Sequence, residues 1–515
     1  MRADLGVTWR IEARKRQGIG AMGGAAIALA LAFALPAPAV AQAFSFDSLR
    51  ARARELSKRG WEKPRFDDLP EWLAKIDYDG YRKLRFRPEM ALWAGDRLPF
   101  SAHFLHRGFF FKRRVAISVV DGSEVNELRF STDQFDYHEV KDSPVLGNLG
   151  YAGFALRCHL DRTDRWDEFA VFQGASYFRL VAAGQGYGAS ARGLAIDTAA
   201  PRGEEFPEFV EFWLEKPKPG ASALTLYALL DSPSTVGAFR FSITPGTRTA
   251  AVVSAFLYPR HGVEKFGLAP LTSMFLLGEA RSREIADWRP EVHDSDGLLV
   301  AGADGSWLWR PLDNPERSHR VTRLPIESPA GFGLLQRDRN FESYQDLESR
   351  FEKRPSYWVE PRGAWGKGAI ELVEIPSDLE TNDNVVAYWV PEKAPGPGEE
   401  LAVEYALIAF THDADKPPLA RATSTRVRPG KELQLFVVDF QGAPLAGAPA
   451  DLQADVAPTR GKVRHVVLQP NEPAGGQRCS FEWLDAAPEP AEIRVTLRQG
   501  ARPVSETVVI PWGKP

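Results

Sequence analysis

Trp365-Gly-Lys-Gly-Ala-Ile-Glu-Leu-Val-Glu-Ile-Pro-Ser-Asp-Leu-Glu-Thr-Asn-Asp-Asn-Val-Val-Ala-Tyr-Trp-Val-Pro391 reads as two strands, Ala369–Ile375 and Val385–Val390, around a polar corner, Ser377–Asn384. Both flanks are rich in β-branched and aromatic residues, which pack well on a pleated surface. The corner collects Pro376, Ser377, Asp378, Glu380, Asn382, Asp383 and Asn384, residues that favour turns. Such a corner, held between anchored strands, can keep one acid at a fixed place, as proton transfer requires. Composition alone equally describes a solvated hairpin loop.

The same period-two pattern extends upstream. Leu84 and Phe86 alternate with Lys83, Arg85 and Arg87, and Val115, Ile117 and Val119 lead into an Asp121-Gly122 turn with Leu128-Arg129-Phe130 returning. Phe209–Glu215, Leu224–Leu230, Phe239–Ile243 and Ala251–Leu257 read likewise as strands. Helical spacing appears at Phe46, Leu49, Ala53 and Leu56, predicting a helix over 47–58, and again behind Pro70. Strands separated by turn signals, with few helical patterns between them, predict an all-β fold of antiparallel sheets stacked as a large sandwich. No fixed repeat emerges, which argues against a propeller.

Pro391–Glu400 is rich in Pro and Gly and reads as a linker. Beyond it, Leu401–Phe410, Glu432–Asp439, Val463–Leu468, Ile493–Leu497 and Thr507–Ile510 read as strands, with further candidates around 450–454 and 480–484. Roughly seven short strands in about 100 residues suit an immunoglobulin-like sandwich. The predicted organisation is a large β-sandwich over 42–390, a linker over 391–400 and an Ig-like β-sandwich over 401–515.

The first 41 residues read as an export signal. Arg14-Lys15-Arg16 precedes an apolar run through Leu35, and Ala39-Val40-Ala41 offers a small-residue cleavage site before Gln42. The apolar core is short for a membrane span, and no twin-Arg pair directs a folded-protein export route. The chain of 515 residues carries a formal net charge of −4, and loss of the basic leader makes the remainder more acidic. A mildly acidic chain without long basic runs excludes nucleic-acid binding as a first reading. Only Cys158 and Cys479 are present, in distant segments, so both are expected as free buried thiols, with no zinc or redox motif.

Several stretches carry chemistry. His293-Asp294-Ser295-Asp296-Gly297 places one imidazole and two carboxylates in a turn before an apolar strand. It lacks the ligand number and closing Glu of a calcium loop, and Gly-x-Ser-x-Gly does not occur. An Asx-type turn accounts for it equally well. The glycines of Gly184–Gly188 lack the strand–turn–helix context of a phosphate loop and predict a tight corner. Arg192 and Asp197 either pair or line a polar cleft. Trp309, Gln336, Arg337, Arg350, Phe351, Arg354 and Tyr357 fall in segments that interleave aromatic rings with planar polar groups, as a sugar groove does. Core packing explains many of these rings, but the charges are costly to bury without purpose.

On Gly174–Arg179, Ser190–Thr198, Ala269–Phe275, Arg289–Gly297, Gly331–Gln336 and Glu380–Asn384 the chain resembles the periplasmic glucan biosynthesis protein G/D family of Gram-negative bacteria. The resemblance covers essentially the whole chain after the leader. It implies a mutarotase-like large sandwich, an Ig-like C-terminal domain and a periplasmic role in making osmoregulated glucans with a β-1,2-linked backbone. It further implies an inverting endo-β-1,2-glucanase with Asp383 as general acid, Asp294 as general base and Asp296 as the less favoured base. The resemblance also implies that the loop around Arg354 covers the substrate, with Tyr357, Trp309, Arg192, Asp197, His293 and Asp296 expected near it. No metal or organic cofactor is implied. Relatives often carry Tyr where this chain has Phe351, so the loss of a hydroxyl bears on activity. The alternative is a non-catalytic glucan-binding or assembly factor that guides or branches glucan from an inner-membrane synthase.

Overall fold

The computed structural model describes residues 44–513 except 67, 138–146, 280–284, 413–415, 448–450 and 486–488. The expected leader lies outside the described residues. The opening hairpin is present: Lys367–Glu374 pairs antiparallel with Val385–Pro391, from Gly368 opposite Pro391 to Glu374 opposite Val385. Gly368 is required by the close approach of the partner strand, because a Cβ there would lie 2.3 Å from the Val390 carbonyl oxygen. Alternation gives the hairpin two faces. Ile370, Leu372, Val385, Ala387 and Trp389 enter the main core, while Val373, Val386, Tyr388 and Val390 pack in a smaller cluster on the other face.

The hairpin belongs to a ten-stranded sheet in which Tyr177–Leu180, Ser190–Arg192, Phe266–Ser273, Val385–Pro391 and Lys367–Glu374 are successive neighbours. A fifteen-stranded sheet lies against it, and the core between them is aromatic. Phe172 stacks on Phe178 at 5.4 Å and meets Phe241 of the opposite sheet edge-on at 5.2 Å. Each such ring contributes about 1.5–3 kcal/mol through burial. The all-β expectation of stacked sheets is therefore what the structure has.

Leu401–Phe410, expected in the smaller domain, pairs instead within the large sheet, between Arg248–Pro259 and Ser356–Arg362. The Pro-Gly-rich segment before it carries the chain from one sheet to the other. Of the remaining C-terminal strands, Leu452–Pro458, Ala491–Gln499 and Thr507–Trp512 extend the fifteen-stranded sheet. Thr507–Trp512 pairs parallel to Trp307–Pro311, and four other strands form a four-stranded sheet over these three, the C-terminal sandwich. The sheet of Arg421–Arg428, Leu433–Gln441, Gly476–Leu484 and Lys462–Asn471 shares a core with Ala491–Gln499 and Thr507–Trp512. That core continues into Leu299, Trp309, Leu335, Trp358 and Ile408 on the back of the large sheet.

The first helix, Phe46–Ser57, is capped by Ser45 and packs Leu49 and Ala53 beside Val236, Ala238 and Tyr258. A short helix, Glu71–Lys75, follows Pro70 as expected. No helix among the described residues is long and apolar enough to cross a membrane. Cys158 and Cys479 are free and buried, and burial pushes both thiols up to about 12.

Candidate functional site

Two asparagines staple the acid corner. The Asn384 side chain accepts from the Phe275 N–H at 2.8 Å and donates to the carbonyls of Phe275 at 2.9 Å and Ile375 at 3.0 Å. Asn314 accepts from the Ser377 N–H at 3.0 Å and donates to Ser377 O at 2.8 Å and Leu276 O at 3.0 Å. Both ends of the corner are thus tied to the short strand Phe275–Leu277. Asp383, one residue before buried Asn384, projects from a fixed backbone and is exposed.

The same short strand positions the other carboxylate. Phe275–Leu277 pairs with Val292–His293, and the Asp294 N–H donates to Met274 O at 2.9 Å. Asp383 and Asp294, far apart in sequence, are therefore fastened to one short strand. Burial pushes the Asp294 carboxyl up to about 6; Arg354 opposes that rise, the charge of Asp383 adds to it, and Arg179 and His293 oppose it. Arg354 Nε lies 3.4 Å from Asp294 Oδ1, and among the described residues neither atom has a hydrogen-bond partner. The pair is a buried charge contact in which both atoms keep unused hydrogen-bonding capacity.

The loop bearing Arg354 is a single 3-10 turn, Phe351–Lys353. It packs on the Gly-rich corner, where the Gly186 N–H donates to Lys353 O at 3.2 Å. A Cβ on Gly188 would sit 3.0 Å from the Arg354 side chain, so close packing of this loop explains that glycine. Arg289 adds a second brace, reaching Asp287 and Asp346 at 2.8 Å and Glu380 of the acid corner at 2.7 Å.

His293 and Asp296 support this frame from behind. Gln336 Nε2 donates to His293 O, Tyr344 Oη and Phe351 O, which orients its Oε1 toward His293 Nδ1 at 2.9 Å. His293 Nε2 meets Glu291 at 2.8 Å and Asp296 at 3.5 Å. Burial would lower the imidazole, but Asp296 and Glu291 overcome it and raise it to about 9. Glu291, His293 and Asp296 offer atoms within 4.8 Å of one another, a spacing that could seat a cation. The imidazolium already supplies the positive charge these carboxylates need. Asp296 Oδ2 accepts from the backbone N–H groups of Arg337 and Asp338. That commits Asp296 to the turn, whereas Asp294 keeps a buried oxygen, Oδ1, without a hydrogen-bond partner among the described residues.

Over residues 44–512 the chain matches the family described as "Periplasmic glucan biosynthesis protein, MdoG". It belongs to that family. It is 46% identical to the glucans biosynthesis protein G of Ralstonia nicotianae over 473 residues, covering 89% of this chain and 94% of the relative. It is 44% identical to the glucans biosynthesis protein D 1 of the same organism, covering 91% of each. Protein G of Rhodopseudomonas palustris is also 44% identical, with 89% of this chain and 91% of the relative covered.

The other residues expected at the site of this family member divide into two groups. Arg192 lies on the outer face of the ten-stranded sheet, donating to Thr272 Oγ1 at 2.9 Å and pairing with Glu204 at 2.6 Å. It does not pair with Asp197, which pairs with Arg202 and accepts from the N–H groups of Glu264 and Lys265. Tyr357, Trp309 and Phe351 are buried. The Tyr357 hydroxyl donates to Leu180 O and accepts from Leu180 N–H, which makes it a strand lock. Trp309 lies under the Arg337 guanidinium at 3.5 Å, on the side of the C-terminal sandwich. Phe351 packs among Met274, Leu276, Val292 and Tyr344, with the Arg354 guanidinium 5.2 Å from its ring. Sequence reasoning missed Tyr177, Arg179, Glu204, Arg289 and Glu291. The signal for the first two is alternation: Phe178 and Leu180 are core, so Tyr177 and Arg179 must face out beside Arg192.

Proposed function

We propose that this protein is a periplasmic β-1,2-glucan-processing protein that acts as an inverting endo-β-1,2-glucanase. Asp383 is the general acid and Asp294 the general base. The observation that carries the reading is one short strand that fastens two carboxylates from separate segments, one buried and one exposed, within reach of each other's charge. Inversion needs one protonated and one ionised carboxyl group on opposite sides of the bond to be cut. Asp294, raised to about 6 and faced by Arg354, is ionised at neutral pH yet a stronger base than an ordinary aspartate. Asp383 is exposed at the tip of the acid corner, where a bound chain can reach it. Arg354 and Arg179 neutralise charge on the base side, and their loop and strand wall the groove.

The second reading, a glucan-binding assembly factor without hydrolysis, draws support from Phe351, which gives the covering loop a buried ring and no hydroxyl. Product analysis on linear β-1,2-glucan separates the two. Short oligosaccharides from the wild-type protein, lost in Asp383→Asn with binding retained, are the expected result. Binding without products in both proteins would leave the assembly role.

A further inference from the structure

Beside the Arg192–Glu204 pair the chain builds a concavity of about 600 Å³, lined by Trp61, Phe66, Arg202, Glu204, Glu205 and Phe206 among others. Its size is that of a ligand pocket. Phe206 is 51% exposed and Phe66 39% exposed, unusual for rings that have a core available. The polar lining is held by the fold yet keeps acceptors open. Hydrogen bonds to Glu204, from Arg192 and Thr198, fall on Oε1. Those to Glu205, from the N–H and hydroxyl of Ser234, likewise fall on Oε1. Among the described residues the second oxygen of each carboxylate is uncommitted. Exposed ring faces beside oriented acceptors suit a neutral polyhydroxyl chain, whose C–H faces stack and whose hydroxyls donate.

Side chains in contact lead from this cleft toward the acid corner. The Arg192 guanidinium lies 5.5 Å from the Phe206 ring centroid and 4.7 Å from that of Tyr177. Tyr177, in turn, lies in the field of both Arg192 and Asp383. A line of side chains, Asp383, Tyr177, Arg192, Phe206, thus runs from the acid to the cleft.

We infer that the cleft of Trp61, Phe66 and Phe206 is a distal glucan-binding subsite, holding glucosyl units remote from the acid pair and setting a preference for long chains. The inference rests on the glucan reading above, and it concerns affinity and length. A chain that spans both regions gains binding energy that a short one cannot, whatever chemistry follows at Asp383.

The test titrates linear β-1,2-glucans of graded length into Asp383→Asn protein, with and without Trp61→Ala or Phe66→Ala, and checks each variant's melting temperature. Affinity should rise with length up to the span of both regions. Each ring removal should weaken long chains by about tenfold and leave short oligosaccharides unchanged. Loss of affinity that is the same at every length, or no loss at any length, overturns the subsite while leaving the glucan reading intact. Absence of binding at all lengths in the Asp383→Asn parent overturns both. Binding and length dependence in a wild-type protein that yields no products uphold the subsite and remove only the hydrolase.

Discussion

Burial leaves the Asp294 carboxylate beside the Arg354 guanidinium, with an oxygen, Oδ1, that no donor among the described residues reaches. Its ordinary value of 3.8 rises to about 6 in the fold. A carboxyl raised on folding binds its proton more tightly in the native state, so its ionisation opposes folding. The opposition is absent below about pH 4, grows as pH rises to about 6 and is complete above that. Its upper bound is about 3 kcal/mol with Arg354 already included, and a neutral side chain at 294 forfeits that contact. Asp294→Asn is therefore expected to stabilise the protein by about 1–2 kcal/mol at pH 7 and by nothing measurable at pH 4, while removing glucan hydrolysis. Denaturant unfolding at both pH values reads this directly, and an equal gain at both would mean that the charge is not the cause. Residue chemistry was partly legible: the turns holding Asp294 and Asp383 stand out by their local composition. Their surroundings were not, because Arg179, Arg354 and the Phe275–Leu277 strand that give them their geometry come from elsewhere in the chain.

At the scale of elements, the acid corner depends on what anchors the strand before it. Glu374 ends Lys367–Glu374 and is fully buried against Arg310, also fully buried, at 2.7 Å. Glu374 also accepts from the Asp313 N–H at 2.7 Å, and Asp313 in turn pairs with Arg320 at 2.5 Å. Such a network is neutral as a whole but strongly coupled, since removing one charge strands the other out of water. Arg310→Met is expected to cost about 3–5 kcal/mol, and the double variant Arg310→Met with Glu374→Met to recover most of it. A double-mutant cycle measured by chemical denaturation checks the coupling; additive losses would show two independent sites. The strands of this hairpin were legible to within two residues, because alternation and turn residues are local signals. The charges that lock it were not, because Arg310 and Glu374 meet only once two different sheets are stacked.

The whole molecule answers a question that punctuation in the sequence leaves open. Pro391–Glu400 reads as a boundary between domains, and its composition does interrupt regular structure. Yet the strand beyond it, Leu401–Phe410, fills the gap between Arg248–Pro259 and Ser356–Arg362 in the large sheet. A Pro-Gly segment serves equally to leave one sheet of a sandwich and enter the other, and local composition cannot tell those uses apart. The C-terminal sandwich is then clamped on. Arg337, stacked on Trp309, pairs with buried Glu506 at 2.6 Å and donates to Ala422 O at 3.0 Å. Its own N–H is accepted by Asp296, two residues from Asp294. A chain ending at Glu400 loses the strand that joins two halves of the large sheet, leaving two unpaired edges and an opened core. It is expected to show no cooperative unfolding transition. A chain ending at Phe410 keeps that strand but bares Trp309, Trp358, Ile408 and Phe410, and is expected to fold with native-like circular dichroism while self-associating. Thermal melts and light scattering on the two truncations distinguish these outcomes. Cooperative, monomeric behaviour of the chain ending at Glu400 would show that the large sandwich closes without Leu401–Phe410.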